Sequence, residues 1–170
     1  MTFIIDLVII LQTFSIALGT GASTLAIINF FAAIADGSID PTERRMMGIV
    51  YKVLRVAMVA ILVTTAFLIS VEYGQVGLAH LSSVSISEMI VLLVIYANAL
   101  LMTFHLVPST FGPGIQAGSW YTLGIITSLE IIGSTDYTIG QFVMGYITWI
   151  ILAIGIVNGV MAILKHRQST

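Results

Sequence analysis

Glu88 and Glu130 sit in otherwise apolar surroundings, where a carboxylate has few uses besides binding a proton, a cation or a polar partner. Glu88 lies in SISEMIVLLVIYANALLMTFH and Glu130 in GIQAGSWYTLGIITSLEII, two arms joined by LVPSTFGP. Both stand 21 residues from Ser109. Two antiparallel helices rising about 1.5 Å per residue would bring them to similar depth as a layer of paired carboxylates. Each also has a plainer reading. Ser85-Ile-Ser-Glu88 fits a capping box, in which the glutamate folds back onto the first amide of its helix. Glu130 falls in a last turn, where the helix dipole disfavours an anion, so it either snorkels to an interface or faces a partner, cavity or cation. Facing inward, it is a candidate proton site.

Other polar residues extend this pattern. Gln116, Ser119, Leu123, Ile126 and Glu130 recur at three-four spacing and share one helix face, with Thr127 beside it. Asn98 and His105 share a face seven residues apart, with Glu88 about a quarter turn away. Gln12, Gln141 and Asp6 fall near the two glutamates, and Asn29 and Asn158 fall at the depth of Asn98. An acidic layer and an amide-rich layer could therefore line a pathway through Glu130, Glu88, Asp6, Gln12, Gln141, Asn98, His105 and Gln116. The competing reading is interhelical hydrogen bonding, worth about 0.6 to 2 kcal/mol for each such contact.

These residues need helices in a bilayer to position them. The 170 residues are 58% hydrophobic and 8% charged, with mean hydropathy +1.09, far outside the soluble range. Five apolar segments are expected at about 3–35, 41–71, 85–104, 115–132 and 137–164, forming a single transmembrane domain over 1–170. The first has no basic n-region and is too long for a signal peptide, so it reads as a membrane helix. In DGSIDPTE, Asp40 can cap the second helix, with Pro41 in its first position and Glu43 three beyond the cap.

Five spans put Arg44, Arg45, Lys52, Arg55, Lys165 and Arg167 on one side, which the positive-inside rule makes cytoplasmic. The fold class expected is thus an all-α integral membrane bundle of five helices, N-terminus outside and C-terminus cytoplasmic, in the plasma membrane. Asp6, Glu72, Glu88, Glu130 and Asp136 then share the other half with no Lys or Arg.

Small residues suggest close helix contacts. Gly19, Gly21 and Ser23 in LGTGAST, and Gly155-x-x-x-Gly159 in the fifth helix, would let another backbone approach, within the chain or in a homo-oligomer. Several chemistries are excluded or weakened. The chain has no cysteine, hence no disulfide, thiolate metal site or iron-sulfur cluster. His80 and His105 fall on opposite sides of a five-span bundle, which disfavours a haem clamp. Asp36 to Glu43 matches only the second half of an EF-hand loop, since Ala32 and Ile34 occupy its first ligand positions. No catalytic triad, HExxH or phosphate loop is present, no cofactor is implied, and nothing supports nucleic-acid binding. The leading expectation is a cation or proton channel or transporter. An accessory subunit of a larger membrane complex is the alternative, ahead of a haem-binding redox protein or an intramembrane enzyme.

Overall fold

The computed structural model describes residues 2–36, 40–108 and 111–168. The Ser109 pivot and the 37–39 part of the first loop lie outside them. The elements are α1 (Thr2–Asp36), α2 (Pro41–Val76), a single 3-10 turn at Leu78–His80, α3 (Ser83–Thr103), α4 (Gly112–Ile131) and α5 (Ile139–Gln168). Among the described residues there is no strand.

Local chemistry explains the helix ends. At α2, Asp40 and Glu43 form the expected capping box: the Asp40 side chain accepts the Glu43 N–H at 2.7 Å and Glu43 accepts the Asp40 N–H at 3.0 Å. The same helix runs five residues past its expected end at 71. It stops at Gly77, whose φ of 75° and ψ of 169° define a backbone conformation essentially reserved for glycine. α3 begins two residues earlier than expected, because Ser82 takes the cap position and accepts the Ser85 N–H at 3.2 Å.

That shift removes Glu88 from the cap. It lies one turn too far along α3, and another residue does the work expected of it. Glu72, near the end of α2, accepts the Ser82 N–H at 2.6 Å and the Ser85 hydroxyl, tying the start of α3 to the helix before it.

Neighbouring helices run antiparallel. Gln12 meets Thr65 across α1 and α2, Tyr96 donates to the Met58 carbonyl across α3 and α2, Asn98 meets Gln116 across α3 and α4, and Ser119 meets Tyr146 across α4 and α5. α1 and α2, at 35 and 36 residues, exceed the 21 and 20 of α3 and α4. Their surplus extends past the α3–α4 connection, toward the end that carries Arg44, Arg45, Lys52 and Lys165. This is called the basic end below.

Among the described residues, four helices, α1, α2, α3 and α5, are long and apolar enough to cross a membrane. α4 differs because Gln116, Ser119, Thr122 and four glycines dilute its apolar residues. The bundle compensates by enclosing it: Gly112, Gly114 and every residue from Gln116 to Trp120 are buried. Glycines make the enclosure possible. A methyl group at Gly19 of α1 would lie 2.3 Å from the Trp120 ring, and at Gly114 it would lie 3.0 Å from the Ile154 Cα of α5. Trp120 is fully buried, and with Ile61, Ile95 and Leu123 it forms the apolar centre.

Candidate functional site

Building inward from α1, Gln12 stands on the buried face that also offers the bundle Ser15, Ile16, Gly19, Ala22 and Ser23. It is 8% exposed, and its amide nitrogen donates to two oxygens at 3.0 Å each: Thr65 Oγ1 of α2 and Glu88 Oε2 of α3. Glu88 is 7% exposed, and Thr65 and Ser87 beside it are buried as well. Three helices therefore converge on one buried carboxylate. Glu130 and, more weakly, Glu72 act on it electrostatically, with no basic group among these influences.

A buried carboxylate without a basic partner is expensive in a bilayer, by about 3 kcal/mol on insertion scales for a comparable acid at a helix centre. Gln12 offsets part of this with one charge-assisted hydrogen bond. The remaining stabilisation must come from a proton, a cation or water. Gln12 presents N–H rather than C=O to the carboxylate, a hydrogen bond that favours the ionised group over the protonated acid and so opposes the effect of its burial. Among the described residues no group of three or more His, Asp and Glu side chains could hold a metal ion.

The second polar cluster lies ten residues further along α3, about 15 Å away along its axis. Asn98, 3% exposed, donates at 3.0 Å to the Gly112 carbonyl and to Gln116 Oε1. Met102 Sδ is 3.5 Å from the same nitrogen. This cluster contains no charge, and it locks the start of α4 onto α3. Between the clusters stand the buried Ile16 of α1, Ile61 of α2, Val91, Leu92 and Ile95 of α3, and Trp120 and Leu123 of α4. The polar residues thus form two stations separated by a mainly apolar layer, which also holds the buried hydroxyl pair of Ser119 and Tyr146.

The expected residues divide accordingly. Glu88 and Gln12 come together, as do Asn98 and Gln116. The α4 face of Gln116, Ser119, Leu123 and Ile126 is buried as its spacing predicts, but Glu130 emerges exposed at the end of that face. Asp6 is exposed near the start of α1. Gln141 serves as a helix cap: its Oε1 accepts the Thr138 N–H at 2.9 Å, and Thr138 Oγ1 accepts the Gln141 N–H at 3.2 Å. His105 is exposed with φ 57°, just beyond α3. Its N–H bonds the Met102 carbonyl and the Leu106 N–H bonds that of Leu101, the Schellman pattern that usually takes glycine at this position.

The small residues divide too. Gly19 and Ser23 face inward, whereas methyl groups at Gly21, Gly155 and Gly159 would meet nothing within 4 Å. Gly155 and Gly159 are exposed, so their motif makes no internal contact. The close internal packing uses Gly114 and Gly118 instead, where Trp149 of α5 donates to the Gly118 carbonyl at 2.9 Å. The spacing Gly114-x-x-x-Gly118 was legible in GPGIQAGS as a packing signal, and its neighbourhood of loop-forming residues masks it. Thr65 had no such signal. It follows Thr64 in an apolar run, and only the helix pairing decides that Thr64 bonds its own backbone while Thr65 reaches Gln12. No known protein family, curated protein or solved structure matches the chain.

Proposed function

We propose that the protein is a small proton-pathway protein of the cytoplasmic membrane, a channel or transporter in which Glu88 is the group that takes up and releases the proton. One observation carries this reading: Glu88 is buried where α1, α2 and α3 meet, held by Gln12 and, among the described residues, by no base. Gln12 orients the carboxylate and Thr65 holds Gln12. Glu130, exposed at the same end of the bundle, gathers cations at the approach. In this reading all five helices cross the bilayer, α4 being shielded by its neighbours, with the N-terminus outside and the basic end cytoplasmic. The apolar layer between the stations is the barrier that a conformational change would have to open.

Proton flux into liposomes containing the purified protein tests this. Glu88→Gln removes the proton site while keeping the side chain's shape, so flux falls at least about tenfold, equivalent to about 1.4 kcal/mol or more in the barrier. Glu130→Gln stays within about twofold, since an exposed charge acts only by screened attraction. Wild-type flux that survives Glu88→Gln sinks the role of Glu88.

A second reading, an accessory subunit or homo-oligomer, is favoured by one observation. Gly155 and Gly159 lie exposed on α5 with open space above them, a surface on which another helix could pack closely. The two readings are compatible if the second copy is of the same chain.

A further inference from the structure

A small cavity opens among α1, α2, the end of α3 and the start of α4, distinct from the carboxylate station. Its volume is about 50 Å³, and Ser23, Tyr51, Met102, Pro113 and Gln116 are among the residues that line it. Gln116 is 7% exposed, and its amide nitrogen has no hydrogen-bond partner among the described residues. The amide cannot simply be turned over to cure this. Its oxygen already accepts from Asn98 Nδ2, and exchanging oxygen for nitrogen would set two N–H donors against each other. Turning Asn98 as well would put its oxygen against the Gly112 carbonyl, which now accepts from it. Gln116 thus lines the cavity with a donor that no described protein group accepts.

Ser23 supplies the complementary group. It is 3% exposed and donates its hydroxyl hydrogen to the Thr20 carbonyl at 3.0 Å, which leaves its oxygen lone pairs to accept. A cavity needs about 10 to 15 Å³ for one water and two or more polar partners to hold it, and this one meets both conditions. It lies on the basic-end side of the apolar layer, with the exposed Tyr51 and the half-buried Phe30 further toward that end.

We propose that this cavity is a water-binding site, in which water accepts from Gln116 Nε2 and donates to Ser23 Oγ, hydrating the amide station from the basic end. The site rests on Gln116 and Ser23 and is independent of any role for Glu88. Its ligand is neutral and small, because no charged side chain lines the cavity to compensate an ion.

Water-to-protein magnetisation transfer in NMR tests the site, using the full chain in lipid bilayers with ¹⁵N-labelled glutamine. The Gln116 side-chain resonance, assigned by its disappearance in Gln116→Met, should receive magnetisation from water. Ala26→Leu, which puts an apolar side chain into the same cavity, should abolish that transfer, and Ser23→Val serves as a second filling variant if the first does not fold. Absence of transfer to Gln116 in the wild type overturns the proposal. So does transfer that persists unchanged in a folded filling variant. Flux measurements on Glu88 variants bear on neither outcome, so the two readings fail separately.

Discussion

At Glu88 a carboxylate receives a single N–H from Gln12 with no base beside it among the described residues, whereas at Asn98 a neutral amide donates to a backbone carbonyl and to the oxygen of a second amide, leaving only the neutral Asn98 Oδ1 and Gln116 Nε2 without partners among the described residues. Both groups are less than a tenth exposed. The difference is in what each leaves unresolved. The amide station closes a structural joint between α3 and α4, and its components have no charge to trade. The carboxylate station holds a group whose charge is poorly compensated, and that is the condition under which a proton or ion exchanges. Burial alone therefore does not distinguish the two stations; incomplete electrostatic compensation does.

Variants at the two stations and in the layer between them can break this comparison. The largest effect is expected at the carboxylate station, where Glu88→Gln removes flux as described above while the variant's thermal unfolding stays close to wild type. Loss of folding together with flux would make Glu88 a structural residue like Asn98. Next is the apolar layer: Gly19→Leu drives a side chain into Trp120 and should lower stability by about 3 kcal/mol, read as a lower denaturation midpoint. Gly21→Leu, two residues away with open space around it, should change stability by less than about 0.5 kcal/mol.

Asn98→Leu should destabilise by about 1 to 2 kcal/mol through its lost contacts to Gly112 and Gln116, with flux retained. Flux lost in a folded Asn98→Leu protein would assign the amide station a transport role. A stabilising effect is expected at the end of α3. His105→Gly relieves a left-handed backbone and should stabilise by about 1 kcal/mol without altering flux. An altered flux there would restore His105 to the pathway.

The glutamates show why the sequence alone reached the layer but not the residue. Spacing put Glu88 and Glu130 at one end of a helical hairpin, and they are there. Two alternatives remained for each, cap or interior for Glu88, interface or interior for Glu130, because helical periodicity specifies a face but not how far along that face the neighbouring helices extend. Ser82 rather than Ser85 capping α3 decided the first. The end of the α4 face decided the second.

What the sequence determined by itself is what depends on local composition and period: an all-helical membrane protein, the capping box at Asp40 and Glu43, the inward face of α4 from Gln116 to Ile126, and the close approach at Gly19. These follow from hydropathy, from hydrogen-bond chemistry within a few residues and from side-chain size. Only the tertiary structure decided that Gln12, Thr65 and Glu88 meet, 53 and 76 residues apart along the chain. It also decided that Glu72 does the capping and that Gly114 and Gly118 provide the tight seam. Each of these depends on the rotation of one helix against another. That rotation is set by the packing of Trp120 and its apolar neighbours across four helices at once, which no single segment of sequence contains.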